Sequence, residues 1–224
     1  MTEMIFRNRA HGGQLLAAAL TKYSDRPDVI VLGLPRGGVP VAFEVAKKLH
    51  VPLDVMVVRK LGVPGWEELA MGAIASGGIR VINERVVHEA QIPQARIDEV
   101  AAVQLEELRR REIAYRGHSG APDVRGKTVI LVDDGIATGS TIRAAVEALR
   151  QQNTARIVIA VPTAAADSCE MLEPMVDELI TLVRPVYFRA VGQWYDDFGQ
   201  TTDDEVRELL APAHHPSAGS AAKS

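Results

Sequence analysis

Residues 128–141 read Thr-Val-Ile-Leu-Val-Asp-Asp-Gly-Ile-Ala-Thr-Gly-Ser-Thr. Val129 to Val132 is an unbroken apolar, largely β-branched run, the pattern of a parallel strand buried on both faces. It ends on two adjacent carboxylates, Asp133 and Asp134, followed by a small hydroxylated loop from Gly135 to Thr141. Ile142, Ala145, Val146 and Leu149 then recur at helical spacing. A strand, a glycine-punctuated loop and a helix N-terminus in that order make a cradle for an anion. Gly135 and Gly139 let the backbone turn and approach the ligand, with Ile136 and Ala137 between them. Free N–H groups and the helix dipole favour negative charge there, and Thr138, Ser140 and Thr141 add hydroxyl donors. Ionised carboxylates only accept hydrogen bonds, so Asp133 and Asp134 suit vicinal sugar hydroxyls rather than phosphate. The implied ligand carries a phosphate on one side of a ribose and a diol on the other.

Outward from this stretch, strands and helices alternate. Gln14 to Tyr23 reads as an entry helix, Asp28 to Leu34 as a strand and Val39 to Leu49 as a helix. Leu53 to Arg59 is a second strand, Lys60 to Glu68 a loop, and Leu69–Ala75 with Ile79–Ile82 a hairpin turned by Ser76-Gly77-Gly78. Gln94 to Arg116 is a long helix preceded by a short one that Pro93 interrupts. Strands at Ile157–Val161 and Leu179–Val183 flank a helix near 165–175, and Glu205–Leu210 is a last short helix. Residues 212–224 are Ala, Ser, His and Pro without a period and read as a disordered tail. The pattern predicts an α/β fold, a doubly wound parallel sheet with its site at the carboxyl ends of the strands.

Two further constellations sit at strand ends. Gly33-Leu-Pro-Arg-Gly-Gly38 turns a strand into a helix, where Gly37 and Gly38 permit an unusual backbone and Arg36 offers bidentate donors for phosphate oxygens. A tight turn with a solvated arginine is the plainer alternative. Arg59-Lys60 closes the second strand, and Leu61 to Leu69 behind it suits a lid, with glycines to hinge and Trp66 to cover. Trp66 as a packed residue at the hairpin base is equally compatible.

The 128–141 segment resembles the signature of type I phosphoribosyltransferases: four apolar residues, two acidic ones, then a loop ending Thr-Gly-x-Thr. It has no Lys before Ser140 or Thr141, so it is not a Walker A loop. The resemblance covers residues 28–183, and Phe6-Arg-Asn-Arg9 with Trp194-Tyr-Asp-Asp-Phe198 looks more narrowly like a bacterial group of uncharacterised phosphoribosyltransferases. It implies a single domain over 1–211 with a small hood and a helical insert at 84–116, an insert serving as hood, dimer contact or both. It also implies transfer of the 5-phosphoribosyl group from 5-phosphoribosyl 1-diphosphate (PRPP) to a nitrogen acceptor, a purine-like base among the candidates, with release of pyrophosphate. In that scheme Gly135 to Thr141 clamps the 5′-phosphate, while Asp133 and Asp134 grip the ribose and favour positive charge at the ring. Arg36, Gly37, Arg59 and Lys60 take the diphosphate, with Lys60 also counted as catalytic. Mg²⁺ is expected as cofactor, held mainly by the substrate, with no dedicated protein ligands. A non-catalytic sensor of PRPP is the alternative function on the same fold.

Composition bounds the rest. The 224 residues are 47% hydrophobic and 24% charged, a globular balance able to bury a sizeable core. A net charge of −4 argues against nucleic acid or a membrane surface as partner. The single Cys169 excludes an internal disulfide and fits a reducing compartment, and the first residues lack an apolar signal core, so a cytoplasmic location is expected. The expected partners are PRPP, a small-molecule acceptor and a second copy of the chain, most simply a dimer. Arg109-Arg110-Arg111 among Glu106, Glu107 and Glu112 reads as a solvated, salt-bridged helix face. His11 and His88 have no partner at metal-ligand spacing. Trp194, Tyr195 and Phe198 either stack on a planar acceptor or pin the C-terminal segment to the core.

Overall fold

A computed structural model describes residues 5–117 and 120–214. Its centre is a parallel sheet of five strands: β1 (Val29–Gly33), β2 (Leu53–Val55), and three more that follow a second, antiparallel sheet in the chain. The antiparallel sheet is β3 (Val58–Val63), β4 (Trp66–Ala75) and β5 (Ile79–Ile82). The main sheet is completed by β6 (Thr128–Val132), β7 (Arg156–Thr163) and β8 (Glu178–Val183), in the order β2-β1-β6-β7-β8. The helices are α1 (Arg9–Ala19), α2 (Gly38–Leu49), α3 (Glu84–Glu89), α4 (Gln94–Arg116), α5 (Ser140–Gln151), α6 (Ala166–Leu172) and α7 (Asp203–His214).

Every residue of β1 and β6 is buried, because helices cover both faces. Val31 and Ile130, opposite one another in the ladder, join one core with α1, α2, α4 and α7. Leu32 and Leu131, one residue on, face the other side and pack with α5 and α6. The two-residue period of a strand thus feeds both layers from one apolar run. The doubly wound parallel sheet expected from the sequence is the observed architecture.

Four boundaries differ from expectation. The entry helix starts at Arg9, capped by the Asn8 side chain, which accepts from the His11 amide at 2.9 Å. Gly12 and Gly13 look like helix breakers, but a Cβ at Gly13 would lie 2.7 Å from the Val41 carbonyl oxygen. The glycine is what lets α1 and α2 pack so closely, and that contact outweighs poor helix propensity. The expected strand 53–59 is divided between two sheets, breaking at Met56-Val57, so Arg59 and Lys60 lie inside β3. The stretch 60–68 is accordingly a hairpin turned at Gly65 (φ +82°), not a loop. Gly62 marks a bulge there, since a Cβ would meet the Glu67 carbonyl oxygen at 2.7 Å. Finally, α7 runs on to His214, past the expected start of a tail at 212, and residues 215–224 of that expectation lie outside the described residues. No helix among the described residues is long and apolar enough to cross a membrane.

Candidate active site

Because β1 and β6 are neighbours in register, the loops leaving their carboxyl ends come together. Leu34 donates its amide to the Val132 carbonyl at 2.9 Å, and the Pro35–Arg36 peptide is cis. Gly37 and Gly38 then cross directly over the acid pair. A Cβ on Gly37 would collide with the Asp134 carboxylate, and one on Gly38 would lie 2.9 Å from Asp133 Oδ1. The glycines are therefore required by the approach of one loop to the other's carboxylates.

Beyond the acids, the loop is anchored from below and open above. Ile136 is buried, donates its amide to the Thr163 carbonyl at 3.0 Å and accepts from Ala165 at 2.9 Å. Ser168 holds the Ala137 carbonyl at 2.5 Å. Gly139, at φ +71°, leads into α5 without a side-chain cap, which leaves the first amides of that helix to a ligand. Ala137, Thr138, Ser140 and Thr141 are exposed, and the hydroxyls of Thr138 and Ser140 lie 3.1 Å apart. Thr138, Ser140 and Thr141 line a cavity of about 250 Å³ together with Lys60, Asn83 and Arg143.

The structure thus brings Gly37, Asp133 and Asp134 together, and separately unites Lys60 with the hydroxyl loop. Ile136 belongs to the loop but not to its open surface. Arg59 and Lys60 diverge as consecutive strand residues do: Arg59 Nε donates to Gln104 on α4 at 3.0 Å, while Lys60 Nζ reaches only Glu68, at 3.4–3.5 Å. Arg36 points to Asp203 at the start of α7, 3.9 Å away, and the Tyr115 hydroxyl donates to the same carboxylate at 2.8 Å. Burial and Asp203 push the Tyr115 hydroxyl up to about 12. On α4, Arg110 and Arg111 both pair with Glu107, the salt-bridged face expected.

Three further residues border the site, and of these the sequence offered only Tyr195, as one ring of a stacking or packing cluster. Arg9 Nε lies 2.8 Å from Asp134 Oδ2, with both side chains largely buried. Tyr195 donates its hydroxyl to the Asp134 carbonyl oxygen at 2.5 Å. Asp203 lies 3.9 Å from Arg36, with both side chains more than a third exposed, so the arginine stays available to a ligand. Phe6, Trp194 and Tyr195 are buried together, and Phe6 exchanges backbone hydrogen bonds with Trp194 and Asp196, so this aromatic cluster ties the two terminal segments to one another and to the core. Burial and the adjacent Asp134 charge hold the Asp133 carboxyl well above the usual range. Burial raises Asp134 too, against the pull of the Arg9 guanidinium. Two adjacent, largely buried carboxylates of which only Asp134 is paired with an arginine are the arrangement expected of a functional site.

A family model described as the phosphoribosyl transferase domain matches residues 1–183. The chain belongs to that family. Two phosphoribosyl transferases of Mycobacterium tuberculosis, provisionally so named and from strains CDC 1551 and H37Rv, are 46% identical to it over 210 residues. That match covers 94% of this chain and 47% of theirs, so the chain spans about half the length of the curated relatives it matches. The solved structure of TT1426 from Thermus thermophilus superposes with a TM-score of 0.83 at 42% identity, covering 92% of this chain and 98% of that one. Within this phosphoribosyl transferase domain, the acid pair and hydroxyl loop occupy the carboxyl edge of the parallel sheet, where α/β folds of this kind bind their ligands.

Proposed function

We propose that this site binds PRPP and transfers its phosphoribosyl group to a nitrogen acceptor, with a purine-like base the first class to test. The observation that carries the reading is the pairing of two loops at the ends of β1 and β6. One is an uncapped helix N-terminus ringed by Thr138, Ser140 and Thr141; the other is the Arg36-Gly37-Gly38 turn laid over Asp133 and Asp134. The first suits a terminal phosphate, the second a ribose diol beside a diphosphate.

In this reading the acceptor nitrogen forms a bond to the anomeric carbon as the bond to the diphosphate oxygen breaks; the diphosphate leaves with the bonding pair, and the proton lost by the acceptor nitrogen passes to that diphosphate or to water. The centre passes through an oxocarbenium-like state, as in glycoside chemistry. The chain's task is electrostatic and geometric. Gly135 to Thr141 hold the 5′-phosphate, and Asp133 and Asp134 accept from the ribose hydroxyls and favour charge developing on the ring. Arg36 and Lys60, with Arg59 on the same hairpin, neutralise the departing diphosphate. Mg²⁺ would supply further charge neutralisation. Among the described residues, no three His, Cys, Asp or Glu side chains gather to hold a metal, so any Mg²⁺ would have to be brought largely by the substrate.

Calorimetry with PRPP and Mg²⁺ tests the reading directly. Thr138→Ala and Thr141→Ala should each weaken binding by about 1.5–3 kcal/mol, the value of a hydrogen bond to a charged group. A folded wild-type protein that takes up no PRPP would sink the proposal. Pyrophosphate release screened across nucleobases then identifies the acceptor.

A further inference from the structure

The environment of Asp134 is built from parts of the chain that the signature loop does not contain. Arg9, at the first turn of α1, reaches it from 125 residues away. The guanidinium is itself held on two other sides: Nη1 donates to the Gly199 carbonyl at 2.6 Å, and the group lies 3.9 Å over the Phe198 ring. Phe198 stacks on Tyr195 with centroids 5.0 Å apart, and the Tyr195 hydroxyl closes the circuit on the Asp134 carbonyl oxygen. Arg9 Nε would also lie 3.2 Å from a Cβ at Gly37, so the arginine abuts the loop that crosses the acid pair. An arginine fixed by stacking, by a carbonyl and by a carboxylate has one orientation, and it imposes that orientation on its partner.

We propose that Arg9 is a positioning residue for the acid pair, occupying Oδ2 of Asp134 so that the remaining oxygens of Asp133 and Asp134 are the ones presented to the ligand. The site is then completed by both terminal segments, 5–9 and 194–199, rather than by the signature loop alone. The two acids also differ in duty. Asp134 is oriented by the chain, while Asp133, which among the described residues receives only the Asp134 amide at 2.9 Å, is the freer acceptor. This assignment rests on the PRPP reading above for its catalytic consequence, but not for its geometry.

A double-mutant cycle on Arg9 and Asp134, in the full chain, separates positioning from mere packing. In the ligand-free arm, thermal unfolding is followed for wild type, Arg9→Ala, Asp134→Asn and the double variant. Coupling is expected: the double variant should be at least as stable as Arg9→Ala, because the carboxylate left without its arginine is gone. In the kinetic arm, Arg9→Ala should lower kcat at least tenfold with a smaller change in KM for PRPP, and Arg9→Lys should recover part of that loss by restoring the charge. Introduced into the Asp134→Asn background, Arg9→Ala should cost nothing further. If Arg9→Ala does not fold, Arg9→Lys takes its place in both arms, with a smaller loss of the same pattern. Strictly additive effects in both arms would overturn the proposal. A wild-type protein inert toward PRPP would overturn the functional reading alone, and the unfolding cycle would still decide the role of Arg9.

Discussion

Two buried arginine–carboxylate centres join remote parts of this chain, and they have the same stoichiometry but a different distribution. At the edge of the sheet, Arg116 on α4 pairs with Asp54 at 2.6 Å and Glu112 at 2.8 Å, and it also donates to the Val55 carbonyl. Asp54 accepts from the Val55 amide as well, at 2.6 Å. One arginine thus reaches both acids, and the guanidinium is spent entirely on protein. At the carboxyl end of β6, Arg9 reaches only the second of two adjacent acids, and Asp133 is left with one backbone donor and a carboxyl held well above its ordinary range. A saturated network stiffens a fold; a network left short of cation waits for a ligand.

Arg116→Met leaves two carboxylates, one of them buried, without their cation, and removing one partner of such a network typically costs about 3–5 kcal/mol. The expected outcome in a denaturant titration is a lowered midpoint with unchanged slope. A loss below about 1 kcal/mol would mean that water reaches Asp54 and that the two centres are not of different kinds.

At Asp133 the sign should reverse for stability. The native carboxyl holds its proton to higher pH than the unfolded chain does, because burial and the Asp134 charge disfavour its ionised form. In the window between the ordinary carboxylate value and the raised one, the native state binds more protons, so stability falls as pH rises through that window and the cost is complete above it. Asp133→Asn keeps an acceptor for the Asp134 amide and removes that cost. It should raise the melting temperature at neutral pH, by about 2–4 °C for each kcal/mol relieved, with little gain in acid. Turnover should fall by about a hundredfold or more, the value of one preorganised electrostatic contact. A variant that is less stable at neutral pH would show the carboxylate to be structural.

The same distinction governs what could be read in advance. Val29 to Leu32 and Val129 to Val132 announced a doubly covered parallel sheet because both faces of a buried strand demand apolar residues in one unbroken run. The acid pair, the hydroxyl loop and the Arg36-Gly37-Gly38 turn were legible because each is contiguous, so local sequence carries the whole device. The hairpin at 58–75 was not: Gly62 looks like a hinge until the Glu67 carbonyl is seen lying against it. Arg9 and Asp203 were illegible as site residues for a different reason, and Tyr195 was legible only as one ring of an aromatic cluster, not as a partner of Asp134. Their partners lie 125, 61 and 167 residues away, and nothing local separates an arginine destined for burial from a solvated one. Clustering of Trp194, Tyr195 and Phe198 was the one available signal, and packing rather than an open stacking face is what their burial and ring contacts express.

The smallest effect, and the sharpest discrimination, belongs to two adjacent cations. Arg59 and Lys60 both border a cleft that Thr141 also lines, yet in miniature they repeat the contrast between a spent charge and a free one. Arg59 is bonded to Gln104 and partly buried against α4, where desolvation and Arg111 make its charged form less favoured. Lys60 lines the cavity with Thr138, Ser140 and Thr141, and its contact with exposed Glu68 at 3.5 Å is too long and too wet to hold it. Lys60→Ala should therefore weaken PRPP binding more than Arg59→Ala does, by about 1.5–2 kcal/mol, the lower part of the range for a charged hydrogen bond. Lys60→Ala should leave the melting temperature nearly unchanged, whereas Arg59→Ala should lower it by a few degrees through the lost contact between β3 and α4. Calorimetry and thermal unfolding on the two variants measure both halves. The reverse order of affinities would show that Arg59 leaves Gln104 for the ligand and is the stronger of the two contacts. Equal losses would mean that the two cations act through the general field of the cleft rather than through the contacts each makes.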